Sequence, residues 1–278
     1  MKKLTLIFIL IFVWPTCVIS SEIKDQTLYK DREKAGDDYN IIYSMNPEKL
    51  PELNRKYFKY IELANSGATE KGIMGLTEMA SEGVLDAQFS LYKIMSRKGS
   101  SKNIKEKAIE YLLSSARSGY PPSQLELSLL YARGEFFEKN LFEYHKWTEQ
   151  AALNGNADAM LNVSGDFYAG RGINKDENKG FLWLTKYFMT KGRDFSRWDL
   201  LGTAYETGRG TPVDLVKAYM CYDLEGTAGI EEKARIAPKM TAEQRDEGLR
   251  LSHEWQEKNH VYTMKSMGLS RQSDGSYR

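Results

Sequence analysis

Apolar and small residues recur along this chain in a helical stripe that restarts every 36 to 38 positions. From Tyr111 the stripe runs through Ser115 and Ala116, and from Trp147 through Ala151 and Ala152. Steps of four and five residues put these side chains on one face of an α-helix. Sliding the chain against itself by 36 aligns Gly83, Gly119 and Gly155, the small residues Ala87, Ser123 and Ala159, and the large apolar residues Met95, Tyr131 and Phe167. The same offset aligns Tyr111, Trp147 and Trp183, and also Ala80, Ala116 and Ala152. An offset of 38 then superposes Phe167/Tyr205, Gly170/Gly208, Arg171/Arg209, Gly172/Gly210, Asp176/Asp214, Lys179/Lys217 and Trp183/Cys221. A fixed period of this length is the signature of a repeat architecture.

Each period predicts two helices. The first begins just after the 36-spaced glycine and ends in the turn at Gly134, at Gly170-Arg171-Gly172 or at Gly208-Arg209-Gly210, where glycine adopts the left-handed conformation that stops a helix. The second begins at Asn140, Asp176 or Asp214, residue types suited to N-capping, and runs to the next 36-spaced glycine. The alanine registers allow close helix approach, and the aromatic registers fill the space between pairs; Tyr131, Phe167 and Tyr205 are expected in the core. Cys221, standing where two other repeats carry tryptophan, is expected to be a small buried hydrophobe. Thr241 and Gln244 have the spacing of a capping box and predict a closing helix over about 241–258.

Gly-x-x-x-Ala, a Tyr or Phe eight residues after the Ala, then Gly-x-Gly, Asp, Lys-Ala, an aromatic residue and Ala-Ala-x-x-Gly is similar to the Sel-one-like repeat, a relative of the tetratricopeptide repeat. The stretch Tyr205 to Tyr222 is the copy that most resembles it. The resemblance implies an all-α fold, a right-handed α-solenoid of antiparallel helix pairs over residues 67–258. Gly134 lacks the second glycine step, Lys98 stands where later copies have glycine, and before residue 81 only Ala80 matches. Residues 21–66 are therefore read as an N-terminal capping segment and 259–278, rich in Ser, Lys, Arg and Gly, as a loosely held tail.

The first twenty residues do not share the pattern. Met1-Lys2-Lys3 precedes an apolar run from Leu4 to Trp14, too short to span a bilayer as a helix and suited to a secretory signal peptide cleaved before Ser21. Trp14-Pro15-Thr16 before Cys17 departs from a lipoprotein signal, which argues against a lipid anchor there. Losing residues 1–20 changes the formal charge of the 278-residue chain from +1 to −1 and leaves Cys221 as the single cysteine. A protein so exported is expected in the periplasm, with no intrachain disulfide, no stable membrane insertion after processing and no net field drawing it to nucleic acid.

Candidate chemistry is sparse. His145, His253 and His260 have no metal-ligand spacing and no Cys-x-x-Cys occurs, so neither metal nor cofactor is expected. The Gly-Arg-Gly turns lack the third glycine and preceding strand of a phosphate loop. Ser21 to Lys24 has the Ser-x-x-Lys form of penicillin-reactive enzymes but lies at the processing site without its partner motifs. Cysteine-rich relatives linked to β-lactam binding carry a cysteine pair in every repeat, which this chain does not. Neighbouring carboxylates such as Asp37-Asp38 and Glu231-Glu232 read as solvated charge. No catalytic residue is expected, and an enzyme such as a β-lactam hydrolase is the last of three readings.

What remains is a surface. Stacking turns one position of each first helix into a row along the concave side. One residue beyond the small register gives Gln88, Gln124, Met160 and Trp198; four further on gives Tyr92, Ser128, Ser164 and Gly202. These rows are the expected partner-binding face, with Trp198 and Tyr92 as aromatic anchors. The resemblance implies a partner that is another protein: exported solitary proteins of this kind include immunity proteins that block phospholipase toxins delivered by type VI secretion in Gram-negative bacteria. The alternative is a scaffold for periplasmic envelope complexes.

Overall fold

A computed structural model describes residues 50–97 and 99–261. The expected leader, Cys17, the Ser21–Lys24 pattern, the start of the expected capping segment and the tail beyond 261 lie outside the described residues. Within them all regular structure is helical. Five helix pairs follow one another: α1 (Leu50–Asn65) with α2 (Thr69–Ser81), α3 (Leu85–Met95) with α4 (Lys102–Arg117), α5 (Pro121–Arg133) with α6 (Leu141–Leu153), α7 (Ala157–Ala169) with α8 (Glu177–Lys191), and α9 (Trp198–Thr207) with α10 (Leu215–Leu224). Two further helices, α11 (Ile230–Ile236) and α12 (Ala242–Lys258), close the stack against α10. The architecture is the α-solenoid the repeat predicts.

Side chains at the predicted helix starts do the capping. Asn140 accepts hydrogen bonds from the backbone N–H of Phe142 and Glu143, Asp176 from that of Lys179, and Asp214 from that of Lys217. The Thr241–Gln244 box forms in both directions. Ala87, Ala116 and Ala159 are fully buried, Cys221 is buried, and burial pushes its thiol well above the usual range. Phe167 is buried, whereas Tyr131 and Tyr205 are half-buried at the core margin.

The two glycines of each Gly-Arg-Gly turn have different tasks. Gly170 and Gly208 stop α7 and α9 in the left-handed conformation, as Gly134 stops α5. Gly172 and Gly210 are also left-handed, and they bring each turn onto the start of the preceding pair's second helix. A Cβ on Gly172 would lie 2.0 Å from the Leu141 carbonyl oxygen, and one on Gly210 would lie 1.9 Å from that of Glu177. At the same register one pair earlier, Phe136 takes a φ of 64° without being glycine, and half its surface is exposed.

The first helix pair begins earlier than the sequence pattern shows. α1 packs on α2 like the later pairs, with Leu53, Tyr57, Tyr60, Ile61 and Ala64 against the core of α2 and α3. Its apolar stripe is regular, with Arg55, Lys56 and Lys59 exposed on the other face, but it does not share the repeat's residues, and close approach depends on Gly72 and Gly75. At the other end aromatic rings substitute for small residues. The backbones of α8 and α9 come close at few points, and Phe188, Phe195, Trp198 and Trp255 fill the gap with ring centroids 4.8–5.4 Å apart.

Polar staples hold the closing helices. Arg235 pairs with Glu206, Lys239 lies 3.6 Å from the same carboxylate, and Ser252 donates to Asp223 at 2.6 Å. Arg245 donates to the carbonyls of Ala237 and Met240. The Arg235 hydrogen bond, helped by one from Tyr222, holds the Glu206 carboxyl below its usual range.

Two measurements test this picture. Gly210→Ala meets both the left-handed backbone and the Glu177 carbonyl, so urea unfolding should show a loss of roughly 3 kcal/mol or more. Gly83→Ala is equally left-handed but has nothing within 4 Å, and should cost only about 1–2 kcal/mol. Because the folded-state pKa of Glu206 is depressed, its stabilisation is present above the ordinary carboxylate value of about 4.3 and is lost as the pH falls below it. The urea midpoint of wild type should therefore exceed that of Glu206→Gln at pH 7, with the gap closing near pH 3.

Candidate functional site

The two expected partner-binding rows do align along the repeats, but they face inward. Gln88, Tyr92, Gln124, Ser128, Met160, Ser164 and Trp198 are all buried, and so is Gly202. Their polar atoms serve the fold. Gln88 and Gln124 donate from Nε2 to the carbonyls of Ala80 and Ala116, tying each first helix to the helix before it. Tyr92 donates to Glu126, Ser128 to the Leu125 carbonyl, and Ser164 to the Gly180 carbonyl. Thr190 donates to the Met160 sulfur, and Trp198 is enclosed by Phe188, Phe195 and Trp255. The correction is one of helical phase. Each first helix touches its own partner and both neighbouring pairs, so it buries most of its circumference. The strip that reaches solvent lies one to two residues further on: Phe89, Leu125 and Leu161; Ser90, Glu126 and Asn162; Lys93, Leu129 and Gly165.

A different site stands out by breaking the repeat. Tyr144 occupies the register of Ala108, Gly180 and Ala218; His145 that of Ile109, Phe181 and Tyr219; Asp166 that of Leu130 and Ala204. These three departures meet. Asp166 is fully buried and accepts from His145 Nδ1 at 3.1 Å on one carboxylate oxygen and from the Tyr144 hydroxyl at 3.2 Å on the other. Arg171 lies 3.5 Å from that second oxygen. Burial, then the neighbouring Asp166 charge, pushes the Tyr144 phenol above its usual range.

The hydrogen bond to a carboxylate requires the proton on Nδ1, so Nε2 of the neutral ring is an acceptor. That atom is buried and has no hydrogen-bond partner, although the ring lines an open hollow of about 550 Å³ with Phe142, Gly170, Gly172, Ile173 and Asn174. Comparing the repeats register by register would have revealed the site from the sequence, since apolar core positions turn polar in one copy only. Arg171 differs from its counterpart for the same reason. Arg209 stacks over Tyr168, 4.0 Å from the ring centroid, whereas the equivalent residue available to Arg171 is Ala132 and its guanidinium turns to Asp166. Among the described residues no group of three or more His, Cys, Asp or Glu side chains is placed to hold a metal ion, and no helix is long and apolar enough to cross a membrane.

Residues 95–120, 121–156, 157–186 and 200–224 match the family model of the Sel1 repeat. The last three matches follow the third, fourth and fifth helix pairs, and the first covers α4 alone. No curated protein matches the chain. Among solved structures, a protective antigen present in uropathogenic Escherichia coli strains and displaying an SLR fold is similar at 26% identity with a TM-score of 0.56, over 73% of this chain and 44% of the antigen. The chain thus spans less than half the length of that relative. A Sel1 repeat protein from Oxalobacter formigenes shares the fold at 22% identity and a TM-score of 0.56, over 79% of this chain and 95% of that one. Over residues 95–224 the chain is thus similar to the Sel1 repeat, within a solenoid shared with these structures.

Proposed function

We infer that the protein is exported to the periplasm and acts there by binding another protein, as an immunity protein that occludes a phospholipase toxin delivered by type VI secretion. Two features support the reading. The apolar run Leu4–Trp14 after Lys2-Lys3 has the form of a secretory leader. The repeats build an extended surface of the kind Sel1 repeats use for protein partners. The observation that carries the choice of surface is the strip at Phe89, Leu125, Leu129, Leu161 and Gly165, where half-buried apolar side chains alternate with Lys93, Glu126 and Asn162. An apolar centre with charged and amide neighbours is the composition of a protein interface.

Gly165 gives a direct test. A Cβ there meets nothing within 4 Å, and replacing a mid-helix glycine improves helix propensity by about 0.5–1 kcal/mol, so Gly165→Arg, with its long side chain directed to solvent, should fold at least as well as wild type. The chain with its leader is co-expressed with the neighbouring gene's product directed to the periplasm. Wild type should relieve the growth arrest, and Gly165→Arg should fail to do so while its affinity for the purified toxin falls at least about 10-fold. Arrest that wild type leaves unrelieved would overturn the immunity reading, and full protection by Gly165→Arg would remove this strip from the interface.

A further inference from the structure

The side of the stack formed by the second helix of each pair changes character in its middle. On each of these helices, residues spaced by four, three and four positions form one outward stripe. On α4 the stripe is Glu106, Glu110, Leu113 and Arg117, with only Leu113 half-buried. The same registers hold Phe142, Lys146, Glu149 and Leu153 on α6, and Asn178, Leu182, Thr185 and Met189 on α8. Phe142, Leu153, Leu182 and Met189 are 65%, 58%, 42% and 63% exposed. Leu153 and Met189 stand at one register, so the apolar character carries over from α6 to α8. Large apolar side chains gathered on the outward stripes of successive helices differ from the single exposed residues any surface carries, and such a patch marks a contact surface. It is built by the second helices, whereas the strip at Phe89, Leu125 and Leu161 is built by the first.

The charges within the patch identify what covers it. Along α6 the order is apolar, positive, negative, apolar, placed symmetrically about the midpoint between Lys146 and Glu149. An antiparallel copy of the same helix sets Phe142 of each chain over Leu153 of the other, and Lys146 of each chain over Glu149 of the other. That is the self-complementary match a two-fold contact requires. A parallel copy would set Lys146 on Lys146 and Glu149 on Glu149, and like charges in apposition are disfavoured. The flanking helices accept the same operation. A two-fold axis running along the stack brings Leu182 over Thr185 and Asn178 over Met189 on α8, and Glu106 over Arg117 on α4. The two central charges are available for it: the Lys146 side chain is 55% exposed and makes only a surface pair with Glu143 at 3.2 Å, a weak kind of interaction, and Glu149 forms no ion pair among the described residues. We propose that this face is the contact of a homodimer, in which a second copy of the chain packs antiparallel on α6 about an axis between Lys146 and Glu149, with α4 and α8 on either side. The stripe from Phe142 to Leu153 is about 16 Å long. Three such helices about 8–10 Å apart give a face of roughly 400 Å² per chain, at the low end for a specific contact, so the dimer should dissociate with a Kd on the order of 10 μM.

Sedimentation velocity of the purified protein between about 1 and 200 μM should show a monomer–dimer equilibrium. Lys146→Glu and Glu149→Lys change outward-facing side chains; each should keep the wild-type melting temperature and weaken the dimer at least about 10-fold, because each sets like charges against one another. The two exchanges combined restore opposite charges across the axis and should return the Kd to within about 3-fold of wild type. A mixture of the two single variants should form heterodimers in preference to either homodimer. Leu153→Ala with Met189→Ala should weaken the dimer at least about 5-fold, and Gly165→Arg, on the other surface, should leave it unchanged. Protein that stays monomeric at the highest concentration would overturn the proposal. So would single reversals without effect, a combined exchange as weak as the single ones, or a dimer indifferent to the loss of Leu153 and Met189. Recovery in the combined variant separates a lost contact from a damaged fold, since it carries both substitutions. No toxin enters the measurement, so a failed dimer and a failed immunity reading give different results.

Discussion

At Gly172 and Gly210 the turn inside one helix pair rests on the first carbonyl of the preceding pair's second helix, at a distance that leaves no room for a Cβ. This backbone contact is local, but it repeats, and the stack depends on it. It sets how far each pair is advanced along the solenoid, and therefore which face of each first helix is turned inward. The alanine registers, the glutamine bonds from Gln88 and Gln124 to the preceding helix, and the capping of α6, α8 and α10 all follow the same spacing. Where the glycine is missing, at Phe136, the backbone keeps the left-handed conformation at the expense of strain, so the turn outlasts the residue best suited to it.

Much of this could be read in the sequence because a repeat multiplies weak signals. One Gly-Arg-Gly says little, but two at one offset, with Asp and Lys-Ala behind them, define a turn, a cap and a helix. The closing helix was legible from Thr241 and Gln244 alone. Helical phase was not. A row of equivalent residues is visible in the sequence, but whether it faces solvent depends on how many neighbours the helix has, and α3, α5, α7 and α9 have more than a two-layer picture allows. Gln88 and Gln124 look like surface residues by type and are buried donors by position. The start of the solenoid was hidden for a different reason: α1 packs through Tyr60 and Ala64 against Gly75 and Gly72, and α1 itself carries none of the residues that mark the later repeats.

The same repetition makes exceptions informative. In a solenoid each pair has neighbours of its own kind as internal controls, so the residue a register requires for stacking can be told from the residue one copy happens to carry. Tyr144, His145 and Asp166 fail that comparison together and in mutual contact, which a random drift of surface residues would not produce. Their position in the stack also has a physical reason. Repeat stability is close to a sum of nearest-neighbour terms, so a costly pair is tolerated where its neighbours are strong. The cluster, which joins α6 of the third pair to α7 of the fourth, is followed by the aromatic packing of Phe188, Phe195, Trp198 and Trp255 and by the Glu206 and Asp223 staples of the closing helices. A polar cluster at α1 and α2, with stacking on one side only among the described helices, would have no such support. Its place inside the array, beside the most heavily reinforced segment, is where buried polar groups that weaken the local packing can still be held in one hydrogen-bonded arrangement.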